Sequence, residues 1–393
     1  MQEIEHHSFE AGRRGKPDEL ESQIAQLIGA YFLDRDSNSR FDIRVHGYYD
    51  HHLNVPVVDI SGEISHSLLH KRIHRDIARL AQSHYNVVHA LPPDKNGLTV
   101  HVHLTPQSNS LAKNGSAGDS GNPIAVAVRK GPLYLPPERY VAVELRNIVD
   151  EIFQHQGTVP CALADTSGIK SIPGLRADGK IGVECTYGKK EYTLQRLVLA
   201  VEHEPSLNVN DLRHDLGLVV GAYLERLQSE FHLDGSPQVI INGLGDWNTG
   251  GWKTDAGSRE AKPYRDGFSS HGTSEDSFSG EDASKPSATG TLLARFIAVQ
   301  VIGNKIAEYA KVSLSYSIGA EETGLNVYTR GTSRIGQESL HSWIRDNIPL
   351  TIGDASLKFG LRNPALYRQI VLASDFFHNQ DFPWNKVELT DYL

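Results

Sequence analysis

The stretch from His271 to Pro286, HGTSEDSFSGEDASKP, places glycines, carboxylates and a lysine directly ahead of an apolar run that begins near Thr289. Glycine lets a backbone come close to a ligand, and the free amides at a helix start favour an anion. An anion-binding loop and a solvent-exposed linker both fit this composition. Histidines make a second pattern: His66, His70 and His74 recur at i, i+4 and i+8, which on one helix puts all three on one face, as helical metal ligands require. No glutamate completes an HExxH pair, so a solvated polar stripe is the simpler reading. His101 and His103 alternate along an apolar run and carry the same default. The two cysteines, Cys161 and Cys185, lack CxxC or Cys/His spacing, which argues against a zinc or dithiol site and fits a reducing compartment.

These groups need elements to hold them. Leu20, Ile24, Leu27, Ile28, Tyr31 and Phe32 recur at a helical period, with Pro17 suited to the first helical position and Asp18 and Glu19 to the first turn. β-Branched runs at 55–64 and 98–104 read as strands on either side of a helix carrying Leu68, Leu69, Ile73, Ile77 and Leu80. Residues 105–123 are too rich in Ser, Asn, Gly and Pro for a helix or central strand and read as a long mobile connection. A second round follows, with a strand at 124–128, a helix from Pro137 to about Phe153, strands around 181–187 and 195–204, and a helix over 209–231. A third has a strand at 238–242, a polar, glycine-rich loop from 243 to about 288, a helix over 291–310 and strands in KVSLSYSIGA and GLNVYT. Sheet-plus-helix material thus occurs three times without a residue-level repeat. The expectation is an α/β (α+β) fold divided at 1–110, 111–233 and 234–393. So long a loop inside a folded unit is a functional signal.

Several short strings then fall in a common order. FSGED, with a lysine downstream at 285, is similar to the FSGKD signature of the methionine adenosyltransferase (S-adenosylmethionine synthetase) family. GKPDE at 15–19 is similar to its GHPDK, with Glu10 five residues ahead of Gly15. SGEIS at 61–65 resembles its GEI, AGDSG at 117–121 its AGDQG, and LRADGK at 175–180 its LRPDGK. LVLAVEHEP at 197–205 stands where the family has a strand ending in Gln-His. KVSLSYSIGAEETGLNVYTRGT at 311–332 and FPWNK at 382–386 resemble its closing segments. Each string is short, but their collinear order over almost the whole chain resembles a divergent member of that family.

The resemblance implies three similar modules about a pseudo-threefold axis, paired into a homodimer or dimer of dimers with active sites between subunits. It implies ATP and methionine, or a related nucleophile, as partners, and Mg²⁺ as cofactor, with use of K⁺ left open. The family reaction is attack of the methionine sulfur on C5′ of ATP, expelling triphosphate. Charge on that leaving group must be met by fixed cations and Mg²⁺, and the sulfur must lie in line with the carbon. By motif position Lys16, Asp119, Arg259 and Lys285 take catalytic roles. Glu63, Asp18, Lys180, Asp255, Asp282 and His271 contact substrates, and Glu10, Asp18 and Asp282 hold metal; Asp255 and Arg259 depend on a gapped register between 246 and 265.

The chain departs from the family in its cations. Lys16 stands in place of the GHPDK histidine, and Glu19, Glu260 and Glu281 stand where the family has lysines, with Ser287 for an aspartate nearby. Like charges at contact distance in a partly dry site cost kilocalories. Extra Mg²⁺, substitution by Arg13, Arg14, Lys253 or Lys262, a changed nucleotide or nucleophile, and a catalytically silent partner subunit all remain open. GDSGNP around Ser120 resembles a serine-protease string, but neither the histidine context nor the disulfides of that family are present.

With 393 residues, 39% hydrophobic and 22% charged, the composition is that of a folded globular protein. The formal charge of -9 argues against nucleic acid as the main partner, while a local basic pocket for a small anion is compatible with it. No apolar stretch reaches membrane-spanning length and the N-terminus lacks a signal-type core, so no membrane association and a cytoplasmic location are expected.

Overall fold

The computed structural model describes residues 5–95, 97–107, 117–188, 192–231, 236–257, 266–274, 279–318, 320 and 322–389. The described strands form three sheets. In the first, β1 (Glu5–Gly12) lies antiparallel on β6 (Leu175–Tyr187), β6 is antiparallel to β7 (Tyr192–His203), and β7 is parallel to β8 (Gln238–Ile241). The second joins β2 (Phe41–Asp50) antiparallel to β3 (Val55–Ile64), and β3 parallel to β4 (Thr99–Pro106). The third sets β9 (Tyr309–Ser315) antiparallel between β5 (Ile124–Val128) and β10 (Gly324–Tyr328). This is the mixed α/β architecture expected. The first sheet takes strands from all three stretches of chain, because β1 and β8 flank the β6–β7 hairpin.

The helices are α1 (Pro17–Leu33), α2 (Ile73–Val88), α3 (Pro137–Gln154), α4 (Cys161–Ser167), α5 (Val209–Phe231), α6 (Thr291–Gly303), α7 (Gln337–Asn347), α8 (Ile352–Phe359) and α9 (Pro364–Ala373). Helix α6 is apolar all round, and its residues from Thr291 to Ile302 are all buried, which is how such a helix satisfies its surface. The predicted helix over 291–310 is too long. Asn304 closes α6, Lys305 turns to φ 59°, and Tyr309 already opens β9, whose alternating YAKVSLS suits a half-buried strand. Helix α2 likewise starts later than predicted. Residues 66–68 make only a 3₁₀ turn and Leu69 is extended at ψ 100°, so His66, His70 and His74 do not share a helical face.

Two apolar cores result. One packs α3, α5 and α6 against the first and third sheets; the other packs α1 and α2 against β2 and β3, with Trp252 and Tyr367 inserted from far along the chain. Among the described residues, no helix is long and apolar enough to cross a membrane.

Burial on α2 pushes the imidazoles of His84 and His89 down to about 4, with the charge of Arg14 adding at His84. In an unfolded chain histidine titrates near 6.5. Between these values the unfolded state binds protons that the folded state refuses, so this contribution to stability is lost as pH falls from about 6.5 to about 4. The expected result is a urea midpoint that drops across that window, with a shallower drop in His89→Leu. Superimposable pH profiles for wild type and variant would contradict it.

Candidate active site

The start of α1 carries the first cluster. Pro17 fixes the first turn, and Lys16, extended at ψ 135°, sits immediately before it. Its Nζ lies 3.0 Å from Asp18 Oδ2 and 2.9 Å from Asp255 Oδ2. Lys16 and Asp18 are buried, while the Asp255 side chain is half exposed. Burial alone would raise Asp255, but its hydrogen bond to Lys16, the Lys16 charge, the Gly257 amide and Lys180 together hold it below the usual carboxylate range. On the adjoining strands Glu10 Oε2 pairs with Lys180 Nζ at 3.0 Å. Asp178, quoted in the motif but assigned no role from sequence, accepts the Gly251 and Gly179 amides at 2.6 Å each. Burial raises its carboxyl above the ordinary value despite those bonds and the charge of Lys16.

Asp255 reaches Lys16 because its loop is pinned next door. Trp252 stacks on Tyr85 at 5.6 Å between ring centroids, and its indole N–H donates to Glu21 Oε1 at 3.2 Å. A β-carbon on Gly47 would meet the indole at 2.0 Å, so only glycine fits there.

The second cluster lies beside β2. Lys285 Nζ is 3.2 Å from Asp119 Oδ2 and 3.5 Å from Asp42 Oδ2. Burial alone would lower Lys285, but Asp42, Asp119 and then Glu281 hold it above its usual value. Glu63 is exposed and stands opposite Asp42 in the β2–β3 register, which puts both side chains on one face. Asp42 was missed from sequence; its place across from a motif glutamate was the available signal.

The remaining predicted residues are placed differently. Asp282 is buried with its carboxylate accepting the Phe41 and Ser284 amides at 2.9 and 2.7 Å, so it braces backbone. His271 is buried between Glu138 (2.6 Å) and the Tyr309 hydroxyl (3.1 Å) and stacks on His7. It belongs to a polar core with Tyr187, away from either lysine cluster. Arg259, Glu260 and Lys262 lie outside the described residues, as do 108–116 of the predicted mobile connection. Ser120 Oγ accepts the Ile318 amide at 3.0 Å, a loop brace.

Of the exchanged acids, Glu19 is buried against Gly12, and Glu281 is buried with its carboxylate on the Ser287 hydroxyl. Two of the positions where charge departs from the family signature, 281 and 287, are therefore hydrogen-bonded to each other. Glu281→Lys alone would place an ammonium on that hydroxyl in a buried site, whereas Glu281→Lys with Ser287→Asp gives it a carboxylate. A double-mutant cycle by urea denaturation is expected to show favourable coupling of about 1–3 kcal/mol. Additive effects would mean the two side chains do not interact. Of the cations considered as substitutes, Arg13 is fully buried and held by Asp150 at 2.8 Å, and Arg14 donates to the Leu372 carbonyl. Arg13, so held, cannot swing toward a ligand.

Among the described residues, no three His, Cys, Asp or Glu side chains converge to hold a metal ion. Glu10, Asp18 and Asp282, expected together, are held by Lys180, Lys16 and backbone amides respectively. Two carboxylate pairs do occur, Asp18 with Asp255 and Asp42 with Asp119. One or two carboxylates, completed by substrate phosphates and water, is the donor set Mg²⁺ uses in phosphate sites.

Residues 249–386 match the family model for the S-adenosylmethionine synthetase C-terminal domain. Over nearly the full length the chain is similar to S-adenosylmethionine synthase of Aquifex aeolicus (26% identical; 98% of this chain, 97% of the relative). It is also similar to those of Acholeplasma laidlawii (29%; 97% and 96%) and Mycoplasmopsis pulmonis (24%; 97% and 96%). Over nearly its whole length the chain is thus similar, at 24–29% identity, to S-adenosylmethionine synthases, and residues 249–386 carry that family's C-terminal domain. Within that family frame, both lysine clusters are assembled from stretches far apart in sequence: 16 and 18 with 255, and 285 with 42 and 119.

Proposed function

We propose that the protein forms S-adenosylmethionine from ATP and methionine. The observation that carries this reading is the pair of lysines, Lys16 and Lys285, each clamped between two carboxylates at the motif positions of a synthetase-like chain. In the reaction a sulfur lone pair forms the bond to C5′ as the C5′–O bond breaks, and the electron pair leaves with triphosphate. Lys16, Lys180 and Lys285 supply fixed positive charge for that leaving group. Glu63 and Asp119 accept from the methionine ammonium.

Each clamped lysine carries one net negative charge with its two acids, so a bare polyphosphate would be repelled. Asp18 with Asp255, and Asp42 with Asp119, would hold Mg²⁺, which would supply the positive charge a polyphosphate needs there. The two clusters pack along different reaches of α1: Lys16 precedes its first turn, whereas the Gly280 backbone next to the second cluster lies against Ala25. Nine residues of helix separate them by roughly 13 Å at 1.5 Å per residue. A site completed by the second cluster of a partner copy, in a homodimer or dimer of dimers, is what the family resemblance implies. The three sheet-plus-helix units are read as pseudo-threefold, with 1–110, 111–233 and 234–393 exchanging strands at their edges.

A second reading, a catalytically silent partner subunit, is favoured by one observation: Glu281 is turned onto Ser287, leaving no cation at that position. Incubation with ATP, methionine and Mg²⁺ followed by mass spectrometry separates the two. S-adenosylmethionine with triphosphate, or with the pyrophosphate and phosphate that water releases from it, is the expected outcome; a flat trace for all of these removes the leading reading.

A further inference from the structure

Two nitrogens of a guanidinium beside the second cluster make no hydrogen bond. The Arg40 backbone is tied to Ser65, whose hydroxyl accepts its amide at 2.8 Å and whose own amide donates to the Arg40 carbonyl at 2.9 Å. The side chain is different: Nε and one terminal nitrogen of Arg40 are buried and make no hydrogen bond. The Ser284 hydroxyl, also buried, has none either. Both point at the same place. A β-carbon built on Gly118 would lie 3.0 Å from Ser284 Oγ and 3.1 Å from the Arg40 terminal nitrogen, so both atoms lie close to the Gly118 backbone and any side chain there would press on them.

Buried donors are almost always satisfied, and a buried unpaired cation is among the most costly arrangements a fold can keep. Arginine cannot escape by losing its proton. A guanidinium fork with a hydroxyl beside it matches an oxyanion, carboxylate or phosphate, in bidentate fashion. Asp119 and Lys285 adjoin these donors, since Gly118 precedes Asp119 and its amide donates to the Ser284 carbonyl at 3.1 Å. We propose that Arg40 and Ser284, across Gly118, form an oxyanion-binding subsite that takes one anionic group of the substrate pair. The choice of probes rests on the reading of the site as one for ATP and methionine; the subsite itself does not.

Arg40→Met keeps the apolar stem and removes the charge. If the guanidinium waits for a ligand, the variant without ligand melts at the same temperature as wild type or higher, and inorganic phosphate raises the melting temperature of wild type but not of the variant. By calorimetry, loss of a charge-assisted hydrogen bond weakens one probe by roughly 10- to 100-fold. Loss of L-methionine binding alone assigns the carboxylate, and loss of Mg²⁺-tripolyphosphate binding alone assigns a phosphate. Should wild type bind neither, the reading of the substrates fails while the melting comparison still judges Arg40. A variant that melts well below wild type without ligand, or that keeps full protection by phosphate, overturns the proposal. Ser284→Ala, a milder change, is expected to weaken the same probe by a few-fold.

Discussion

Lys16→Met is expected to lower S-adenosylmethionine formation by about 10²- to 10³-fold, the usual cost of removing one fixed electrostatic group from a transition state. Methionine keeps the unbranched stem, so the buried entry to α1 keeps its packing. What is lost is the charge between Asp18 and Asp255. Without it those carboxylates repel, and the half-exposed Asp255 can turn outward, so folding survives while the leaving triphosphate loses its cation. Lys16→Arg restores charge but not the compact ammonium and should recover only part of the rate. Rates at saturating ATP and methionine check this; wild-type turnover in Lys16→Met would remove Lys16 from the mechanism.

Arg13→Met is expected to be the most destabilising single change near the site, by about 3–5 kcal/mol, because it leaves the buried Asp150 carboxylate with only the Arg14 amide, at 3.2 Å, and no cation bonded to it. The guanidinium is fully buried, bonds Asp150, and also donates to the carbonyls of Arg176 and Asp178. It therefore ties β1 and the start of α1 to α3 and to the strand that presents Lys180. A fall in the urea midpoint with unchanged slope is the predicted signature. A loss below about 1 kcal/mol would mean Asp150 finds another partner.

Periodicity exposed α1, α3, α5 and most strands because their apolar residues recur with one spacing. It did not expose β1, whose EHHSFEAG buries little beyond Phe9, Ala11 and Gly12 and becomes a strand by pairing with β6 far along the chain. Nor did it expose the buried arginines 13, 139, 146 and 295, since arginine is normally a surface residue and only the folded partners justify its burial. Of the candidate site, Lys16 and Asp18 were singled out by the resemblance of GKPDE to GHPDK, and their side chains meet at 3.0 Å. Asp42, Asp178 and the Glu281–Ser287 bond were not, because each depends on which strand or loop the fold lays beside the motif. His271 was placed by motif position alone, yet its environment is a structural core.

The central claim is that Lys16 of one chain and Lys285 of another serve one reaction. Its most direct test mixes two inactive variants, Lys16→Met and Lys285→Met, after subunit exchange. If each site takes its Lys16 cluster from one chain and its Lys285 cluster from another, half the dimers are mixed and hold one intact site of two, so about a quarter of wild-type activity returns. No recovery, with exchange demonstrated and both variants folded, would contradict the account.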